Sequence, residues 1–370
     1  MAEHAYYIGL LSGTSMDAID CALVSFDSGR PVLHASLSHP YPQDLRKRLF
    51  ALCTQPDISL QGLGEADIAV GQHFAAAVNN LLAREKLEAG QIEAIGSHGQ
   101  TVFHKPEKPL PFTLQIGDPS TIAYNTGITT VADFRRKDMA AGGEGAPLAP
   151  LFHKHVFESA EQRRVILNLG GIGNISIIAQ DRPFVGYDTG PANVLLDYWI
   201  DKNLHQPVDL QGQWAKSGQV IDELLELLLD DPYFAAAEPK STGREYFNGQ
   251  WLERRLAKLT SPAAPADVQA TLLELTASTV AMEIENQLVA DEVFVCGGGV
   301  HNTALVSRLQ QLLPDSQVAS TALLGMAPDW VEAMTFAWLA QQRMAETALD
   351  TTGVTGASRP VILGGVYLPD

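Results

Sequence analysis

The feature that most narrows what this chain can fold into is residues 6–26, YYIGLLSGTSMDAIDCALVSF. Two short apolar runs are joined there by the polar turn Ser12-Gly13-Thr14-Ser15-Met16-Asp17. Tyr7, Ile8, Leu10 and Leu11 precede the turn, and Ile19, Cys21, Leu23, Val24 and Phe26 follow it. The pattern predicts a β-hairpin. A turn rich in Gly, Ser and Thr offers several backbone N–H groups and hydroxyls on one side, the donors a polyphosphate requires. Asp17 is a candidate partner for an accompanying Mg²⁺ ion. The competing reading is an ordinary hairpin at the start of a sheet, and the turn alone does not separate the two.

The totals limit the choices. With 370 residues, 46% of them hydrophobic and 18% charged, the chain is long enough for two globular domains, each with its own core. The net charge of −18, from 25 basic and 43 acidic residues, argues against nucleic acid and anionic membrane surfaces as partners. A bound phosphate would therefore be held locally, by backbone amides, a metal ion or a placed arginine. Cys21, Cys53 and Cys296 are few and far apart, with no CxxC and no metal-ligand spacing, so a reduced cytoplasmic protein is expected. MAEHAYYIGLL does not read as a signal peptide, and no apolar run approaches membrane-spanning length.

Further along, PVLHASLSHPYP reads as a strand, Gln43–Cys53 as a helix, and Leu63–Leu87 as a long amphipathic helix. IEAIGSHG reads as a buried strand ending on the polar cluster Ser97–Thr101. A strand at Thr113–Ile116, a short helix begun by Asp118-Pro119-Ser120, and a strand at Ile128–Ala132 come next. The glycine-rich residues 140–150, AAGGEGAPLAP, are the candidate hinge or boundary. Beyond them VILNLGGIGNISII repeats the strand–glycine turn–strand design. A strand at Phe184–Tyr187 then meets Asp188-Thr189-Gly190-Pro191, with Pro191 suited to the first turn of the helix ANVLLDYWI. Ile221–Leu229 is helical, and Asp267 is expected to cap a helix running to about Ala290. VFVCGGG is a strand that breaks into glycine before a helix over Asn302–Leu313. An amphipathic helix begun by Pro328-Asp329 runs through Met344, and the tail RPVILGGVYLP could return to the sheet.

Three glycine-bearing turns at strand ends, GTSMD, LGGIGN and CGGGVHN, are thus spread over both halves of the chain. No GxxxxGK[ST] loop occurs, and GGIGN leads into a strand where a dinucleotide fingerprint needs a helix. Each turn alone is weak evidence. Together they favour two related α/β domains with a nucleotide clamped between them, its phosphates against the turns and Gly171 and Gly297–Gly299 among the contacts.

The segments SGTSMDAID, SHGQTVFH, QIGDPS, VADFR, LNLGGIGN, YDTGPAN, FVCGGGVHN and DWVEAMTFAWLA, in this order, resemble the anhydro-N-acetylmuramic acid kinases. That family belongs to the sugar kinase, Hsp70 and actin superfamily, and the likeness runs from about residue 6 into the C-terminal tail. It implies a two-domain actin-like α/β ATPase fold, with domains over 1–135 and 136–352 and a tail, 353–370, returning to the first. It also implies an enzyme that uses ATP and Mg²⁺ on 1,6-anhydro-N-acetylmuramic acid. The family opens the anhydro bond with water and phosphorylates the freed 6-oxygen, giving N-acetylmuramic acid 6-phosphate and ADP in peptidoglycan recycling. A homodimer is left open.

By position, the resemblance gives Gly13, Thr14, Ser15, Met16, Asp17, Ala18, Ile19 and Asp20 to the ATP phosphates. Gly297, Gly298 and Gly299 correspond to the superfamily's nucleotide loop, and Asp188 falls on the catalytic aspartate. His98, Arg135 and Glu332 match positions near the sugar. The family usually has Gly where this chain has Ala18, and Ala disfavours a positive φ.

The chemistry agrees with these residue types. An inverting glycosidase needs a base for water and an acid for the leaving oxygen. Here the leaving oxygen accepts the γ-phosphoryl group, so a phosphoryl electrophile replaces the proton and one carboxylate base suffices. Asp188, read as sitting at a strand end before a helix N-terminus, would be kept ionised by the helix dipole. Among Arg135, Arg136 and Lys137, one is expected to meet the lactyl carboxylate of the sugar. Blander readings stand beside these: Asp188 as a helix cap, Glu332 on a solvated face, His98 as a core histidine, and His153 and His155 on a helix surface. The rival functions are a kinase of another small metabolite on the same fold, or a non-enzymatic ATP switch of the Hsp70 or actin kind.

Overall fold

A computed structural model describes residues 5–13, 16–26, 29–54, 57–106 and 109–370. In it the opening hairpin is β1 (Tyr6–Ser12) paired antiparallel with β2 (Ala18–Ser25), which in turn pairs with β3 (Val32–Pro40). The chain then forms α1 (Gln43–Thr54) and α2 (Leu60–Glu85), whose start is capped by Ser59 accepting from the Gly62 N–H. It returns as β4 (Ile92–Lys105), parallel to β1. Next are β5 (Phe112–Ile116), α3 (Pro119–Thr126) capped by Asp118, and β6 (Thr130–Ala132), parallel to β4. After α4 (Phe134–Ala140), α5 (Ala149–Phe157) leads into a second sheet.

That sheet begins with the antiparallel run β7 (Arg164–Leu169), β8 (Ile172–Ile178) and β9 (Val185–Pro191). Five helices follow: α6 (Asn193–Leu204), α7 (Gln213–Ser217), α8 (Asp222–Leu229), α9 (Gly249–Leu256) and the long α10 (Pro265–Gln287). β10 (Glu292–Cys296) lies parallel to β7, and β11 (Gln317–Ser320), reached through α11 (Thr303–Leu312), lies parallel to β10. α12 (Val331–Met344) and β12 (Gly365–Tyr367) end the chain, with β12 antiparallel to β6.

The strand orders are β12-β6-β4-β1-β2-β3, with β5 on β4, and β11-β10-β7-β8-β9. The wiring is the same in both: a three-strand antiparallel meander whose first strand pairs in parallel with a later strand, and that one with the next. The α/β class read from the sequence, and the echo between its two glycine hairpins, correspond to this repeated topology. The chain divides into one compact unit of residues up to Phe152 with Trp330–Asp370, and another of His153–Asp329. Residues 136–152 and 330–352 therefore go with the first sheet, whereas the sequence expectation put them with the second.

The reason is α12, expected to be amphipathic and found buried all round. From Val331 to Ala340 every residue except Glu332 is buried. The helix lies directly on β1 and β4, where a Cβ on Gly9 or Gly96 would collide with the carbonyl oxygen of Ala333 or Phe336. Only glycine at both positions allows that approach, and Ala333, Ala337 and Ala340 keep the helix surface low. In the first unit, Ile8, Leu10, Ile95, Phe74, Val78 and Leu81 join the sheet to α2 in one core. In the second, Val165, Leu167 and Ile175 pack with Leu272, Val280 and Ile284 of α10. Burial of such side chains contributes about 1.5–3 kcal/mol each.

Four local expectations change. β4 does not stop at the polar cluster but carries it on to Lys105, because β5 supplies a pairing partner from Gln100 onward. Pro191 closes β9 and does not open α6, which starts at Asn193. Asp267 lies inside the first turn of α10, whose N-cap is Ala264, and accepts from the Gln219 N–H. His153 is fully buried against Ser176 Oγ at 2.7 Å, whereas His155 is exposed as expected.

Candidate active site

The first hairpin holds its turn through a long-range bond. Ser12 Oγ donates to Gln100 Oε1 at 2.6 Å, both residues buried, and Gln100 Nε2 reaches the Gly13 and Thr101 carbonyls. Met16 N–H donates to Gly13 O at 3.2 Å, and Met16 takes a positive φ of 54° with its side chain in the core. The strained position in the turn is thus Met16 and not Ala18, which is a strand residue opposite Pro40. Asp17 is exposed, its carbonyl accepting from Tyr41 N–H. Ile19 is buried in the core and Asp20 is half-buried opposite Leu11. Thr14 and Ser15 lie outside the described residues.

Three residues expected near the sugar gather on the same unit. His98, on β4, keeps Nδ1 3.0 Å from the Gly99 carbonyl, which makes Nδ1 the protonated nitrogen. Its Nε2 accepts from Arg135 Nε at 3.1 Å, with Arg135 NH2 2.9 Å away, while Arg135 NH1 donates to Gly145 O at 2.8 Å. Burial first, and then the guanidinium, hold the His98 imidazole well below its ordinary range. It is therefore neutral and orients Arg135. The Phe336 ring lies 4.7 Å from the His98 ring, and half-buried Glu332 sits one helical turn before Phe336 on the same face of α12. Arg136, by contrast, is exposed and paired with Asp133 at 3.4 Å.

On the second sheet, register builds the site. Cys296 of β10 is opposite Asn168 of β7, Asn168 is opposite Asn174 of β8, and Asn174 is opposite Asp188 of β9. Residues opposed across a sheet share a face, so four polar or sulfur-bearing side chains form one row across four strands. Asn168, Asn174 and Asp188 are all buried, and Asn174 Oδ1 has no hydrogen-bond partner among the described residues. The glycine loop begins one residue past this row. Gly297 is buried with φ 76°, where a Cβ would collide with Asn168 Oδ1, and its N–H donates to Pro328 O at 3.0 Å. Gly298 is exposed with open space around it, and Gly299 is packed on Leu169. Asn302 caps α11 by accepting from Leu305 N–H. Asp188 is thus level with the last residue of β10, and the Gly297–Gly299 loop follows at that strand's carboxyl end, the side on which open α/β sheets bind ligands.

Asp188 does not stand before a helix. β9 continues three residues past it, so the expected dipole contact is replaced by a direct bond from the Thr242 N–H to Asp188 Oδ2 at 3.0 Å. Nor is Asp188 a cap, since Ala192 holds that place. The carbonyls of the Gly170-Gly171 turn tie down the start of α6. Gly171 O accepts from the N–H groups of Ala192 and Val194, Gly170 O from Asn193 N–H, and Asn193 Nδ2 donates to Leu169 O and Gly170 O. Gln100, Asn168, Asn174 and Asn193 were all within quoted motifs, and polar residues inside apolar strands or at a helix start are the signal that marks them. Thr242, Tyr233 and Lys240 lie in a segment with no pattern of its own.

Among the described residues no group of three or more His, Cys, Asp or Glu forms a metal site, and no helix is long and apolar enough to cross a membrane. A glycine loop after β10 and a buried carboxylate on β9 of one mixed sheet, in a chain whose other sheet has the same wiring and a glycine hairpin of its own, mark an α/β protein of the nucleotide-handling class. The chain belongs to the anhydro-N-acetylmuramic acid kinase family, whose model matches residues 5–369. The anhydro-N-acetylmuramic acid kinase of Saccharophagus degradans is 49% identical over 366 residues, covering 98% of this chain and 99% of that one. That of Coxiella burnetii is 50% identical over 364 residues, covering 98% and 97%. Among solved structures, a ROK family glucokinase from Streptomyces griseus in complex with glucose and AMPPNP is similar at 15% identity, covering 91% of this chain and 100% of that one. Its TM-score is 0.43.

Proposed function

We propose that the chain is an ATP-dependent kinase that opens the 1,6-anhydro bond of 1,6-anhydro-N-acetylmuramic acid and phosphorylates the freed 6-oxygen. The products are N-acetylmuramic acid 6-phosphate and ADP, and the setting is cytoplasmic recycling of peptidoglycan. The observation that carries this reading is family membership across residues 5–369, with relatives of that name about half identical over nearly their full length.

Asp188 acts as the base. It takes a proton from water as the water oxygen bonds to the anomeric carbon and the bond from that carbon to the 6-oxygen breaks. The electron pair left on the 6-oxygen forms the new bond to the γ-phosphorus, and the bond to the ADP oxygen breaks. Positioning supplies much of the rate, as expected when a carboxylate, an intrinsically weak base, takes the proton. Gly13 to Asp20 grip the phosphates of ATP through the hairpin, with Gly297–Gly299, and Gly298 foremost among them, at the nucleotide. Gly171 acts at one remove, by capping α6. Arg135, held by His98 and Gly145 O, presents a cation to the lactyl carboxylate, and Glu332 lines the same sugar site.

Mg²⁺ suits this donor set. It is a hard cation that binds one or two carboxylates, keeps several waters and takes the rest of its ligands from phosphate oxygens. Asp17, an exposed carboxylate beside the hairpin turn, would hold it. Once bound, the ion would neutralise charge on the phosphates.

The test is a phosphorylation assay with 1,6-anhydro-N-acetylmuramic acid beside N-acetylglucosamine and glucose. The anhydro sugar is expected to be the preferred acceptor by orders of magnitude. Equal use of glucose would point instead to a kinase of another metabolite, and ATP turnover indifferent to any sugar would point to a switch. Sedimentation of the same preparation tests for a homodimer.

A further inference from the structure

Three groups that fix Asp188 come from one irregular segment. Its N–H donates to Lys240 O at 3.1 Å, its carbonyl accepts from Tyr233 Oη at 2.7 Å, and its Oδ2 accepts from Thr242 N–H. Residues 233–242 belong to no helix or strand; turn bonds such as Ala236 N–H to Tyr233 O shape their start, and side chains tie both ends to the fold. At the entry, buried Asp231 accepts from Tyr233 N–H, Tyr246 Oη and Trp251 Nε1, and pairs with Arg255. At the far end, Lys240 Nζ, buried, donates to Glu283 Oε1 of α10 at 2.7 Å and to Tyr233 O at 3.3 Å, and it lies 5.0 Å from the Tyr233 ring centre. Glu283 Oε2 in turn accepts from Tyr187 Oη at 3.0 Å, the neighbour of Asp188 in β9.

The bonds close a ring: Asp188 to the Lys240 backbone, along its side chain to Glu283, to Tyr187, and back to Asp188. A buried ion pair is a weak source of stability, because desolvation offsets most of its Coulomb gain. Its geometric effect is larger. It fixes the segment that sets both the backbone and one carboxylate oxygen of Asp188.

We propose that residues 233–242 form a positioning strap for Asp188, with Tyr233 and Lys240 as its positioning residues and Glu283 as the anchor. The proposal rests on Asp188 being the base. A small misplacement of such a group lowers the chemical step by roughly ten- to a hundred-fold without touching substrate affinity.

The experiment is steady-state kinetics on the full chain for Tyr233→Phe, Lys240→Met, Lys240→Arg and, separately, Asp188→Asn. Tyr233→Phe removes one oxygen and is expected to lower kcat about ten-fold with KM for sugar and ATP within about two-fold. Lys240→Met is expected to lose about a hundred-fold, and Lys240→Arg, which keeps the charge facing Glu283, to recover part of it. If Lys240→Met fails to fold, Tyr233→Phe alone decides. Unchanged kcat in a folded Tyr233→Phe protein, or a loss shared equally with both KM values, overturns the strap while leaving the base intact. An active Asp188→Asn enzyme overturns the base and the strap with it.

Discussion

The two glycine hairpins look alike in sequence and are put to different use. The β7–β8 turn is two residues long, Gly170-Gly171, and its carbonyls are taken up as acceptors for the start of α6. The β1–β2 turn spans five residues, from Gly13 to Asp17, and is steadied from behind by Ser12 and Gln100. The first turn commits its carbonyls to a helix start, whereas the described part of the second is tied to β4 through Ser12 and Gly13. A glycine in a turn has to be judged by where the hydrogen bonds of its neighbours go. On the second sheet, Gly297–Gly299 directly follow the strand position level with Asp188, while the carbonyls of the β7–β8 turn are engaged by the start of α6.

The largest effect is expected at Asp188. Asp188→Asn keeps the bond from Thr242 N–H but removes the base, so kcat should fall by about 10²–10⁴-fold while nucleotide and sugar still bind. Calorimetric titration beside turnover measures both, and loss of binding would make Asp188 a structural residue.

Next come the glycines past β10. Gly297→Ala forces a Cβ into Asn168 at a positive φ and should cost stability of about 1–3 kcal/mol. Gly298→Ala meets open space, so thermal stability should hold, and a rise in the KM for ATP would then report nucleotide contact alone. The hairpins themselves are separated by Asn193→Ala and Gln100→Leu. The former should lower stability by about 1 kcal/mol per lost hydrogen bond with little change in the KM for ATP. The latter should raise that KM. If the two effects came out reversed, the contrast between the hairpins would be broken.

A smaller effect concerns pH. His98 is held well below its ordinary range by burial and Arg135, His104 is lowered to about 4 by the same two causes, and His153 to about 3 by burial. These histidines stay neutral when folded, and the unfolded chain binds protons near pH 6.5. Between about pH 6.5 and 4 the unfolded state therefore holds more protons, so stability rises with pH across that window and is lost as pH falls. Chemical denaturation at pH 7 and pH 5 should show the loss, and His104→Gln should flatten it by about 1 kcal/mol per pH unit. The smallest change is expected from Ala18→Gly. Ala18 is a paired strand residue, so restoring the family's usual glycine should alter the KM for ATP by less than about two-fold and cost about 0.5–1 kcal/mol of stability.

Both hairpins, the glycine break after β10 and the α/β class were legible because apolar runs and turn residues are local signals. The burial of α12 was not, because its apolar stripe reads the same whether one face or all faces are covered. Its companions, Gly9 and Gly96, sit hundreds of residues away in sequence. The place of Asp188 was misread for a related reason: Thr-Gly-Pro marks a helix start in isolation, whereas β8 offers pairing out to Pro191 and extends the strand. His98 and Arg135 were read separately, and only the fold shows that one orients the other. The strap of Tyr233 and Lys240 left no local trace, since all its contacts to Asp188 are long-range.

The most direct test of the proposed reaction is turnover in ¹⁸O-water, with product analysed in the first turnovers. The account predicts one ¹⁸O at the anomeric carbon of the sugar phosphate and none in its phosphoryl group. Label in released inorganic phosphate, with none at the anomeric carbon of the sugar phosphate, would mean that water attacks phosphorus, and it would contradict the coupled ring opening in which Asp188 is the base.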